Sequence, residues 1–265
     1  MKCVKLGRTL FISLLMFGLL AASGAFAGTV METVKKKGTL VVGTSADYPP
    51  YESVDAAGNF VGFDMDLMRA VAERMGVKLK IKDMPFDSLI AGLQAGKIHA
   101  VIAAMQATPE RDKKVDFSTV YHDIKDAFLV KKGSGITINS PFDAAGYRIA
   151  SQTGTIQAKW VEKNLIKAGK AKEEDLLVYE RADTAAMDVS AGRADILFII
   201  SDPAKKLAEK AGLEVALITS ETVSGGQSIA LPEGATELKK AVDAAIAGMK
   251  ADGSLQKLID KWGLF

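Results

Sequence analysis

Cysteine is all but missing from this sequence. The single thiol, Cys3, lies ahead of the first apolar run, so the rest of the chain has neither disulfides nor thiol chemistry to draw on. Histidine is nearly as scarce. His99 falls inside a strand-like apolar run and reads as structural, while His122 follows Tyr121 and reads as a surface residue, with an approach to the cleft as the alternative. No group of residues has metal-ligand spacing, and nucleophile motifs and phosphate-cradling glycine loops are absent. These gaps argue against metal, thiol and nucleotide chemistry, and no cofactor is expected.

An excess of one charge is lacking too, once the first residues are set apart. Lys2, Lys5 and Arg8 form a basic start, Leu10 to Ala22 an apolar core, and Ala25-Phe26-Ala27 a small-x-small cleavage site. That is the order of a secretory signal peptide over residues 1–27, and its apolar part is short for a spanning helix. We expect cleavage after Ala27, with the fold starting beyond residue 31. The formal charge of +2 then becomes −1, because three of the 34 basic residues leave and all 32 acidic ones stay. No basic field remains to bind nucleic acid or an anionic membrane surface. An exported chain without cysteine points to the periplasm. The remaining 238 residues, ordinary in apolar and charged content, suit one large domain or two lobes.

What is present is an alternation of strands and helices. Thr39 to Gly43 reads as a strand, and Gly43 to Tyr51 must leave it as a loop. Phe63, Leu67, Ala70 and Val71 share a helical face that Gly76 closes. Val77, Leu79 and Ile81 alternate as a strand, Leu89, Ile90 and Leu93 mark a second helix, and Ile98 to Ala103 returns as a strand. That βαβαβ order predicts a parallel sheet whose ligands gather beyond the carboxyl ends of its strands. The pattern then restarts. Strands are expected at Phe128–Val130, Arg148–Ser151, Leu176–Tyr179, Ile196–Ile200, Leu213–Thr219 and Gln227–Leu231. Helices are expected from Thr155 through Leu165, over Thr184–Ala191, along Leu238 to Met249, and from Ser254 to Trp262.

One stretch carries chemistry on its face. After the apolar run ending at Ala103 come Ala104-Met105-Gln106-Ala107-Thr108-Pro109-Glu110-Arg111. Thr108 is a good N-cap, Pro109 suits the first helical position, and Glu110 complements the helix dipole. Free N–H groups and a guanidinium fork at such a point make either a receptor for a carboxylate or phosphate, or an ordinary capped helix with a surface arginine.

The motifs, taken in order, narrow this. They are Gly43-Thr44 with Tyr48-Pro49-Pro50-Tyr51-Glu52, Gly62-Phe63-Asp64-Met65-Asp66-Leu67, Pro85-Phe86-Asp87, and Thr108-Pro109-Glu110-Arg111. Val115-Asp116-Phe117-Ser118 with Tyr121, Gly154-Thr155, Gly192-Arg193-Ala194-Asp195 and Lys250-Ala251-Asp252-Gly253-Ser254 follow. As a set, covering nearly all the chain beyond the signal peptide, they resemble the family 3 extracellular solute-binding proteins, periplasmic receptors for polar amino acids in ABC uptake systems. The resemblance implies an α/β, two-lobed periplasmic-binding-protein fold (type II), each lobe a mostly parallel sheet flanked by helices. Two crossing strands, near Phe128–Lys132 and Ser224–Ile229, would join lobe 1 (28–129 and 227–265) to lobe 2 (130–226). It further implies a monomer that closes by a hinge on an amino acid or related small carboxylate and delivers it to an inner-membrane ABC permease. Arg111 would pair with the ligand carboxylate, helped by N–H groups around Ala104 and Gln106 and, from lobe 2, at Thr155 and Ile156. Tyr48 and Phe86 would flank the ligand side chain, with Tyr51 structural.

Two positions depart from the family pattern. Gln106 stands where Ser or Thr is usual, and Ile200 stands where an acid usually binds the ligand ammonium. A one-residue insertion before Pro203 would bring Ser201 or Asp202 into that role; Ser45 offers no charge. A buried ammonium without an anion is costly, so the ligand need not be a standard α-amino acid. A cyclohexadienyl-dehydratase-like enzyme on the same fold is the alternative, with Glu180 or Asp202 as its general acid. A receptor sensor domain would need a following membrane span.

Overall fold

The computed structural model describes residues 29–222 and 225–264. The expected signal peptide with Cys3, and Ser224 in the expected return crossing, lie outside them. Thr29 accepts the Glu32 N–H while the Glu32 carboxylate takes the Thr29 N–H, and this capping box starts α1 (Val30–Lys37). Residues 29–31 therefore already belong to the fold, ahead of the limit expected at residue 31.

β1 (Thr39–Thr44) runs into a small antiparallel ribbon of β2 (Asp47–Tyr48), β3 (Glu52–Val54) and β4 (Phe60–Val61), where a loop was expected. α2 (Phe63–Arg74), β5 (Lys78–Asp83), α3 (Leu89–Gln94) and β6 (Ala100–Val101) complete the βαβαβ unit, followed by α4 (Pro109–Asp112) and β7 (Val115–Phe117). A second unit comprises β8 (Asp126–Lys131), β9 (Ile149–Gln152), α5 (Ile156–Val161), β10 (Leu176–Tyr179), α6 (Ala182–Ser190), β11 (Ile196–Ile200), α7 (Ser201–Ala211) and β12 (Leu213–Thr219). β13 (Ala230–Pro232), α8 (Thr236–Ala251) and α9 (Ser254–Trp262) finish the chain.

The two five-stranded sheets share one plan. The first has the order β5-β1-β6-β13-β7, with β1 parallel to β5 and β6 and with β13 antiparallel to both its neighbours. The second has the order β10-β9-β11-β8-β12, with β9 parallel to β10 and β11 and with β8 antiparallel to both its neighbours. Four strands of each sheet thus run one way, as a mostly parallel sheet requires. β13 joins the first sheet only after the whole second unit, and α8 and α9 then pack on α2. The chain enters the second sheet at Asp126, ahead of the crossing expected at Phe128–Lys132. Where the two connecting segments run side by side, the Tyr121 N–H donates to the Gln227 carbonyl and the Gln227 N–H to the His122 carbonyl.

Apolar layers cover both faces of each sheet. Leu89, Leu93 and Ile98 back the first, Phe128, Leu165 and Phe198 the second, and a third layer continues across both halves. β6 is shorter than the Ile98–Ala103 run because Ala104, at φ +47, swings the backbone out of the sheet and delivers its N–H to Asp64. Gly62 is required: at φ +136, a Cβ there would lie 2.0 Å from the Tyr51 carbonyl oxygen. No helix among the described residues is long and apolar enough to cross a membrane.

Candidate functional site

The carboxyl ends of the parallel strands of both sheets meet at a cavity with about 330 Å³ of non-atom space. Ser45, Asp47, Tyr48, Glu52, Phe86, Ala104 and Gln106 line it from the first half, and Gln152, Thr155, Ile156, Gln157 and Ile200 from the second. Six of the eight residues expected at a binding site are in this lining.

Arg111 borders the cavity rather than lining it. The Thr108 hydroxyl caps α4 through the Arg111 N–H, which fixes where the side chain starts. Its Nη1 donates to the Gln106 carbonyl at 2.7 Å and its Nη2 to the Gly154 carbonyl at 3.1 Å, so the guanidinium bridges the halves. The Phe86 ring lies 5.4 Å from the guanidinium carbon. Burial lowers this pKa to about 10, which leaves the charge intact at neutral pH. The Gln106 amide beside it is buried, and its Nε2 has no hydrogen-bond partner. Gly154 lets the halves approach: it has φ +79, and a Cβ there would sit 3.0 Å from the Asp87 Cβ. Thr155 caps α5 through the Ala158 N–H, and Ile156 opens that helix, where N–H groups lack intrahelical partners.

The opposite end is acidic, which the sequence reading missed. Asp47 places Oδ1 on the Ser45 hydroxyl and Oδ2 on the Ala182 N–H (2.6 Å) and the Gln152 amide (3.3 Å). A carboxylate of the first half therefore caps α6 of the second, whose own N-cap residue, Arg181, makes no side-chain cap. Tyr48 acts similarly, its hydroxyl accepting the Ile200 N–H at 3.0 Å. Burial, and next the Asp64 charge, push Glu52 well above the usual range, while burial raises Asp64 to about 6. Asp64 also accepts from the Ala104 N–H and the Tyr121 hydroxyl. The Ala104 N–H, expected to face a ligand, is thus committed to Asp64.

Asp202 also departs from expectation. It does not line the cavity; its Oδ2 takes the Tyr51 hydroxyl at 2.5 Å and stands 3.4 Å from His122 Nε2. The reason is local: α7 begins at Ser201, directly from β11, and its first turn carries Asp202 toward the first half. His122 is buried between Tyr51 and Phe63, not on the surface. Glu180 is exposed. Among the described residues, no group of three or more His, Cys, Asp or Glu is arranged to hold a metal ion.

Known proteins resemble the chain in sequence and in fold. The chain matches the bacterial extracellular solute-binding proteins, family 3, over residues 40–265. It is 33% identical over 266 residues to the L-cystine-binding protein TcyJ of Escherichia coli (strain K12), an alignment covering 99% of this chain and 97% of that one. It superposes with a TM-score of 0.79 on an ancestral arginine-binding protein bound to arginine (36% identity, covering 85% of this chain and 98% of that one). The same score is reached with the ancestral amino acid-binding protein AncCDT-1, a precursor of cyclohexadienyl dehydratase (34% identity, 89% and 99% coverage). From motifs, fold and cleft alike, the chain belongs to the family 3 bacterial extracellular solute-binding proteins and has their two-lobed α/β fold.

Proposed function

We propose that the protein is the periplasmic receptor of an ABC permease and that its ligand is an α-amino acid with a second, positively charged group. One observation carries the ligand class. Among the described residues the buried carboxyl residues are Asp47, Glu52, Asp64, Asp126 and Asp202; Asp47 and Glu52 line the cavity, Asp126 pairs beside its Ile200, Asp202 reaches Tyr51 of the first half, and Arg111 is the one buried Lys or Arg. An acid-rich, low-dielectric cleft favours a cation. The ligand carboxylate goes to Arg111 and the Gln106 amide, its side chain lies between Tyr48 and Phe86, and its distal cation faces Asp47 and Glu52. Thr155 and Ile156 close over the carboxylate. The relatives that bind arginine and cystine fit this class, since both amino acids carry a second cationic group.

The halves act as lobes that close on the ligand, which favours the closed state by touching both. The connection at residues 118–125 and the returning residues 225–229 beside it serve as the hinge. Binding without turnover is the reading the cleft supports, because Glu180 is exposed and Asp202 is engaged with Tyr51, so neither supplies a general acid.

A thermal-shift and calorimetry panel tests this with L-arginine, L-lysine and L-cystine against L-leucine, L-glutamine and L-glutamate. Bound ligand raises the melting temperature by mass action, and the first three should do so. A preference for L-glutamate would overturn the cationic class, and turnover of prephenate or arogenate would overturn the binding reading.

A further inference from the structure

The residues described so far leave a ligand's α-amino group without a partner. Ile200 occupies the place of the usual acid, and Asp202 is held by Tyr51. We propose that the α-amino group is received by the Gln157 side-chain oxygen, and that Asp126 is the positioning residue that turns this oxygen toward it. The inference rests on the amino-acid reading above.

The register of the second sheet suggests it. Ile200 of β11 pairs directly with Asp126 of β8, and opposed residues of an antiparallel pair project to the same face. Ile200 lines the cavity, and Asp126, 1% exposed, stands beside it. The carboxylate has moved one strand over. Its Oδ1 accepts from Gln157 Nε2 at 2.7 Å and its Oδ2 from the Thr222 hydroxyl at 2.5 Å. An ionised carboxylate only accepts, so it dictates the orientation of the Gln157 amide: Nε2 turns to Asp126 and Oε1 is left over. Gln157 lines the cavity, and its Oε1 makes no hydrogen bond among the described residues. No Lys or Arg among the described residues forms a salt bridge with Asp126, so its charge remains to polarise the amide. Burial raises the Asp126 pKa to about 6, which leaves it ionised at neutral pH. An amide oxygen backed by an anion in a low-dielectric site is a receptor for an ammonium group.

Calorimetry with two matched pairs, in each of which only the α-amino group is removed, tests the inference: L-arginine against des-amino arginine, and L-lysine against 6-aminohexanoate. The wild-type protein should prefer the amino member of at least one pair by roughly 10- to 100-fold, the range of one charge-assisted hydrogen bond. In Asp126→Asn the new amide can offer Gln157 a donor, so the Gln157 amide can turn over and present Nε2 to the ligand. The preference should fall to within about 3-fold of unity, with affinity for the des-amino member kept. Gln157→Leu, which leaves the Thr222 contact intact, should lose the preference equally. A merely structural role would weaken both members in parallel. Variants that retain the wild-type ratio overturn the inference, as does a wild-type protein that binds both members equally; in that second case the carboxylate site stands. Binding of none of the four compounds overturns the ligand class proposed above and this inference with it.

Discussion

The two ends of the cavity hold their charges in opposite ways. At one end a single guanidinium, Arg111, is occupied only by two backbone carbonyls, and the neighbouring Gln106 amide donates to nothing. At the other end carboxylate oxygens are already engaged, those of Asp47 on α6 and Ser45 and one of Asp64 on Ala104 and Tyr121. The difference separates two tasks. On the proposed reading the cationic end is left to the ligand, whereas the acidic end also holds the first half in shape and fastens it to the second.

Four changes would break or sharpen that contrast. The largest effect is expected from Asp64→Ala, which strands the Ala104 N–H and the Tyr121 hydroxyl at once. Urea unfolding should show a loss of about 3–5 kcal/mol, and a loss no larger than that of a surface change would deny the acidic end its structural task. Arg111→Ala should weaken amino-acid binding by about 2–5 kcal/mol in calorimetry; unchanged affinity would place the carboxylate elsewhere. Asp47→Ala removes a cap that one half lends the other, and should cost roughly 1–2 kcal/mol of closure. Small-angle scattering of the ligand-free variant should then give a larger radius of gyration than wild type.

The smallest effect is a pH dependence of the wild-type protein. Asp47, Glu52, Asp64 and Asp126 all have raised pKa values in the fold, the last three chiefly through burial and Asp47 likewise. The folded state therefore binds more protons than the unfolded one between the ordinary carboxyl range and about 6, and stability falls as pH rises through that window. Exposed or partly exposed carboxylates held low, such as Asp55, Asp66 and Asp195, act oppositely, and their contribution fades only in stronger acid. Ligand-free melting temperature should peak at about pH 4, the lower edge of that window. A steady climb from pH 5 to 8 would mean that the acids are not buried as described.

Much of the fold was legible because periodicity survives in single segments. β1, α2, β5 and β9 to β11 follow patterns of apolar residues that no tertiary contact overrides. α7 was legible but unread: Ala204, Leu207, Ala208 and Ala211 keep helical spacing up to Gly212, and Pro203 is tolerated in a first turn. The Thr29–Glu32 capping pattern was similarly available. At the site, the residues fixed by local grammar could be found, Arg111 and Thr155 from their caps and Tyr48 and Phe86 from their places after strands. The acids could not. Asp126 opens an apolar strand and Asp47 precedes an aromatic, and neither shows its role until a segment from the other half arrives beside it. His122 failed for the same reason, since Tyr51 and Phe63, which bury it, lie far earlier in the chain.

The late arrival of β13 has a consequence for how the molecule is made. The second sheet is drawn from one unbroken span of chain, residues 126–219, whereas the first has a gap between β6 and β7 until residue 230 is available. Contacts between neighbours in sequence form sooner than contacts that close long loops. During synthesis the N-terminal sheet must therefore wait, incomplete, while the sheet encoded after it takes shape. The chain's leading half cannot lock before its last segments have been made.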